Sequence, residues 1–110
     1  MAESMNDREC RMMAEFFTIF SNPTRLQVFC ALQDGRKTVS ALAEHAGVSL
    51  SNVSQHLRLM RDKGAVVTEK EGQHVFYTLV DPRFVEAAGL IRDALIEAMQ
   101  RRMDTVDSAE

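Results

Sequence analysis

The chain holds only two cysteines in 110 residues, too few for a disulfide scaffold. It has no run of eighteen apolar residues, so no membrane-spanning helix is predicted. Its opening residues, Met1-Ala2-Glu3-Ser4-Met5-Asn6-Asp7-Arg8, lack the basic and apolar regions of a secretory signal. The cytoplasm is therefore the expected compartment. No nucleophile stands beside a paired base, no glycine loop is built to cradle phosphate, and no carboxylate dyad occurs, so no enzyme is expected. Internal repeats and linkers long enough to split the chain are also missing. What remains is a composition 45% hydrophobic, globular in class, with room for one domain and one modest core.

Net charge is small too, at −3 overall, and it is uneven along the chain. Residues 36–75 carry six basic side chains (Arg36, Lys37, Arg58, Arg61, Lys63, Lys70) against four acids (Glu44, Asp62, Glu69, Glu71), a balance of +2. The remainder carries seven basic and twelve acidic residues, a balance of −5. A polyanion would be met by the middle third.

That middle third contains the most informative segment, Ser49-Leu50-Ser51-Asn52-Val53-Ser54-Gln55-His56-Leu57-Arg58-Leu59-Met60. At about 100° per residue, Val53, Leu57 and Met60 share one side of a helix, while Ser51, Gln55 and Arg58 project from the other. Asn52 and Ser54 flank them, with Asn52 at the border. Glu and Lys are the usual outward residues of a surface helix. Short Ser, Asn and Gln instead suit a helix that enters a DNA major groove. Upstream, Thr38 to Val48 reads as another helix ending in a turn at Gly47, with Thr38 as its cap. Helix, glycine turn and polar-faced helix together make a helix-turn-helix.

Two further helices precede this pair, one from Arg8 to Phe20 and one from Pro23 to Gln33, with Leu26, Phe29, Cys30 and Leu32 inward. After Gly64 the hydrophobic period changes from helical to two. Residues 65–70 and 74–79 then form a hairpin around Glu71-Gly72-Gln73. Asp81-Pro82 opens a last helix to about Met103, whose seam comprises Phe84, Ala88, Ile91, Leu95 and Ala98/Met99. Residues 1–7 are expected to be disordered, residues 8–103 to form the domain, and residues 104–110 to be a disordered acidic tail. The expected fold is mainly α with a small β-hairpin: four helices, two strands and a helix, a winged helix-turn-helix. The first and last helices carry more apolar side chains than one small core uses, which predicts a dimer.

The details resemble the ArsR/SmtB repressors of bacteria. The resemblance rests on Phe20-Ser21-Asn22-Pro23-Thr24-Arg25-Leu26, on Ser54-Gln55-His56-Leu57-Arg58-Leu59-Met60, and on the wing segments Gly64-Ala65-Val66-Val67 and Gly72 to Leu79. It covers roughly residues 11–100. It implies a homodimer joined through the first and last helices, binding an imperfect palindrome in double-stranded DNA as a repressor and leaving it when an inducer arrives.

On this basis Ser51, Asn52, Ser54, Gln55 and Arg58 are the expected DNA contacts, joined by Lys70, Gln73 and His74 at the wing tip. The alternative for each is a merely solvated face. His56 lies beside the apolar stripe, which suits structural hydrogen bonding better than base contact. Glu69 and Glu71 are expected to repel phosphate and keep the wing's contribution small.

Family members that sense arsenite or cadmium place a Cys-x-Cys pair early in the third helix, where this chain has Thr38-Val39-Ser40-Ala41-Leu42. Members that sense zinc or nickel use Asp and His on the last helix, which here has no His. No metal and no cofactor are therefore expected. Cys10 and Cys30 remain, either as small buried hydrophobes or as a thiol switch responding to persulfide, oxidant or arsenite. Family members with such a switch place the partner Cys on the last helix, so Cys10 would have to substitute. A winged-helix module that binds proteins and has no inducer is the other alternative.

Overall fold

Asn6 starts the first helix by a reciprocal capping box: its side chain accepts from the Glu9 N–H at 2.8 Å, and the Glu9 carboxylate accepts from the Asn6 N–H at 3.0 Å. The computed structural model describes residues 4–109, with side chains through residue 106. Helix α1 spans Asp7–Phe17 and tightens into a 3₁₀ turn at Thr18–Ser21. The cap places order at Asn6 and Asp7, inside the segment expected to be disordered; residues 1–3 of that segment lie outside the described residues.

Helix α2 (Pro23–Ala31) begins because Asn22 accepts from the Arg25 N–H at 3.1 Å and Pro23 fills the first helical position, where no N–H is needed. It ends earlier than expected, in a 3₁₀ turn at Leu32–Asp34. Val28, Phe29, Ala31 and Leu32 are buried, and the edge-to-face pair Phe20–Phe29, with centroids 5.1 Å apart, fixes the entering chain against α2. Cys30 was expected inward and is exposed. Once Val28 counts as core, the buried face centres between Val28 and Leu32, and residue 30 falls on the opposite side.

Strand β1 is only Lys37–Thr38 and was not foreseen. Thr38 then caps helix α3 (Val39–Ala46) as expected, its hydroxyl accepting from the Ala41 N–H. Gly47 stops α3 in the left-handed conformation (φ 69°), with its N–H on the Glu44 carbonyl and the Val48 N–H on the Ala43 carbonyl. Ser49 caps helix α4 (Leu50–Asp62) through the Asn52 N–H. Helices α2, α3 and α4 pack on one another, and α4 leans on strand β2 (Val66–Glu71). Strand β3 (His74–Leu79) lies between β1 and β2, antiparallel to both. Ile19, Val28, Leu42, Val53, Leu57, Met60 and Ala65 are fully covered, and among the described residues no polar or charged residue is buried.

The chain divides into two units, one up to Val80 and one from Asp81 on. The second opens with an Asp81-Pro82 turn in which Asp81 accepts from the Arg83 N–H and guanidinium. These bonds hold the Asp81 carboxyl down at about 2. Helix α5 runs Arg83–Ala109, beyond the expected end at Met103 and into the segment expected to be disordered. Its 27 residues reach about 40 Å. Ile91, Leu95, Met99, Met103 and Val106 line one side of it and are all exposed, so the seam continues for two turns past Met99. None of the described helices is long and apolar enough to cross a membrane.

Candidate nucleic-acid interface

Helix α4 has two faces of opposite chemistry. Val53, Leu57 and Met60 are buried; Ser51, Asn52, Ser54, Gln55 and Arg58 are exposed. The Ser51 hydroxyl lies 3.4 Å from that of Ser49. Among the described residues, the side chains of Asn52, Ser54, Gln55 and Arg58 make no hydrogen bond or ion pair within the chain. Their donors and acceptors are thus available to a partner. The structure gathers five sequence-predicted residues on a single helix face.

His56 is half-buried at the edge of the apolar stripe, and Arg25 explains its position. The Arg25 guanidinium donates to the carbonyls of Ile19 and Thr18, each at 2.9 Å, and approaches the His56 Nδ1 at 3.2 Å. A guanidinium has only donors, so Nδ1 accepts and the imidazole proton sits on Nε2. Burial, and then the Arg25 charge, push the His56 pKa below its ordinary value. Arg25 thereby clamps the turn after α1 to α4 and fixes the roll of the polar face. Its part was not visible from the sequence beyond its place in the Asn22-Pro23-Thr24-Arg25 motif.

The wing closes in a two-residue turn at Gly72-Gln73, where Gly72 adopts φ 62°. Lys70, Gln73 and His74 are exposed there. Strand alternation puts Lys70 on one sheet face with Val75, Tyr77 and Lys37; Glu69 and Glu71 share the other with Phe76 and His74. Arg36 lies over the Phe76 ring, 4.0 Å from its centroid, and pairs with both Glu69 (3.1 Å) and Glu71. The two carboxylates expected to repel phosphate thus point away from Lys70 and are held by a guanidinium. Cross-strand distance hid this from the sequence, since 33 and 35 residues separate the partners.

Cys10 and Cys30 are both free and exposed, so neither is the small buried hydrophobe that free Cys usually becomes. Among the described residues no three His, Cys, Asp or Glu side chains cluster closely enough to hold a metal ion.

Comparison with known proteins gives this geometry a context. Residues 22–67, from the α2 cap to the start of the wing, match the family model described as "Bacterial regulatory protein, arsR family". The chain is 33% identical to "Transcriptional repressor SmtB homolog" from Synechocystis sp. over 96 residues, 87% of this chain and 73% of that protein. It is 35% identical over 79 residues to "Probable mercury resistance operon repressor" from Streptomyces lividans, covering 72% of this chain but 63% of that protein. It is also similar to HlyU from Vibrio cholerae, named a transcriptional activator, at 46% identity over 59 residues, 54% of this chain and 55% of that protein. The solved HlyU structure superposes with a TM-score of 0.72 and 31% identity, covering 81% of this chain and 97% of that one. Shared sequence across most of the length of the SmtB homolog, on the winged helix-turn-helix scaffold, establishes that the chain belongs to the ArsR/SmtB family of bacterial regulators.

Proposed function

We propose that the protein is a homodimeric, sequence-specific DNA-binding transcriptional regulator of the cytoplasm, not an enzyme. It acts as a repressor that leaves an imperfect palindromic operator when an inducer arrives. The observation that carries this reading is the exposed row Ser51, Asn52, Ser54, Gln55 and Arg58, the last four with no side-chain partner within the chain among the described residues, on a helix capped after a glycine turn. Side chains of this kind reach base edges when such a helix enters the major groove. Lys70, Gln73 and His74 follow the adjacent backbone from the wing.

A single short helix reads too few bases to pick one site in a genome, and two-fold symmetry doubles the reading. The exposed seam of α5 supplies the apolar area a dimer needs. Two copies of α4 then lie one duplex turn apart, about 34–36 Å, which requires a palindromic site. Two of the relatives are named repressors. A promoter–reporter fusion is expected to rise when the gene is deleted; a fall would assign the activator sign carried in the name of HlyU.

Electrophoretic shift with the DNA upstream of the protein's own gene tests the proposal. A shift displaced by unlabelled specific duplex, and not by scrambled duplex, is the expected result; equal displacement by both overturns sequence-specific binding. An apolar or acidic α4 face would have suited a protein-interaction module, and Gln55 with Arg58 opposes that alternative.

One observation favours a second, narrower reading of the inducer. Both thiols are free and open to solvent, the condition a thiol sensor needs. On this reading Cys30, with Cys10, responds to persulfide, oxidant or arsenite. Operator release by polysulfide that persists unchanged in Cys30→Ser overturns it.

A further inference from the structure

The exposed face of α4 contains one residue that its hydrogen-bonding chemistry does not explain. Leu50 opens the helix, is 54% exposed, and sits one turn before Ser54 on the same side. Its neighbours are otherwise small and polar: Ser49 holds the cap, Ser51 contacts Ser49, and Asn52 and Ser54 are open. The core stripe of α4 begins three residues later, at Val53, and closes without Leu50.

A leucine can neither donate to phosphate nor accept from a base edge. In the major groove the apolar group it can cover is the C5 methyl of thymine. The first residues of such a helix are those that lie deepest against the bases. We propose that Leu50 is a specificity-determining residue that reads a thymine methyl in each half-site of the operator, beside the hydrogen bonds made by Ser51 and Ser54. The proposal rests on the DNA-binding role argued above and adds the base that the Leu50 side selects.

The test uses the full-length protein and a duplex selected from a random-sequence pool. Each thymine of a half-site is replaced in turn by uracil, which removes the methyl and keeps the pairing. For the parent protein, one position is expected to lose about fourfold in affinity per half-site, the worth of roughly one buried methyl-sized group. Leu50→Ala is expected to bind the thymine duplex more weakly and to show no further loss with uracil. Leu50→Met keeps an apolar reach and is expected to retain the sensitivity. Thermal melting of both variants should match the parent, because the side chain is not in the core. If no thymine is methyl-sensitive, or Leu50→Ala keeps the parent's sensitivity at the same position, the proposal fails while the DNA-binding role stands. If the parent selects no duplex at all, that role fails and this proposal with it.

Discussion

Helices α4 and α5 both leave a broad face uncovered, and the two faces ask for different partners. On α4 the uncovered residues are Ser51, Asn52, Ser54, Gln55 and Arg58, polar groups that cost little to leave exposed to solvent. On α5 they are Ile91, Leu95, Met99, Met103 and Val106, a continuous apolar strip that is costly to leave in water. Exposure alone therefore says little about function. The chemistry of the exposed face separates a surface built for a polyanion from one built for another protein.

The largest effect is expected where the apolar strip is broken. Replacing Ile91 and Leu95 together by Glu should convert a micromolar-stable dimer to monomer, because symmetry removes four buried side chains worth about 1.5–3 kcal/mol each. Sedimentation velocity reads the change, and an unaltered dimer would place the interface elsewhere. On the polar side, Ser54→Ala and Gln55→Ala should each weaken specific binding by about 1–3 kcal/mol without altering the oligomer. That contrast is what divides the two faces.

A smaller effect is expected at the wing. Arg36→Ala frees Glu69 and Glu71, so operator binding should weaken several-fold at low salt and the deficit should shrink as salt rises. Fluorescence anisotropy across a salt series checks this, and a deficit that ignores salt would point to lost packing on Phe76 instead.

The smallest is a pH effect on the clamp behind α4. The His56 pKa is lowered in the folded state from its ordinary 6.5. The neutral ring therefore contributes stability that is complete above that value and is lost as pH falls through the window beneath it, where the unfolded chain takes up the proton first. Protonation also places a hydrogen on Nδ1, facing Arg25. The fall in melting temperature between pH 7.5 and 5.5 should be shallower in His56→Gln than in the parent; equal slopes would remove His56 from the account.

The legible parts of the fold were those set by neighbours in sequence. Thr38 and Gly47 are a local cap and a local stop, and the helical spacing of Val53, Leu57 and Met60 declares the buried face of α4. The end of α5 lies beyond its expected place because acidic residues near 104–110 resemble a tail, although Met103 and Val106 extend the seam and Thr105 bonds back to the Arg101 carbonyl. Cys30 lies outward, against expectation, because the core residue Val28 rotates the buried face of α2. Strand β1 has two residues and exists only through its pairing with β3. The Arg25–His56 and Arg36–Glu69 contacts join residues about thirty positions apart, a separation no local pattern encodes. The candidate contacts on α4 were legible for the same reason as its core, since one helical period fixes both faces.

The central claim is that the exposed polar face of α4 recognises DNA, and the Ser54→Ala/Gln55→Ala double variant tests it most directly. Its affinity for the selected operator, measured beside its melting temperature and oligomeric state, is expected to fall to that of scrambled duplex while both other properties match the parent. Parent-like operator affinity in this variant would contradict the claim.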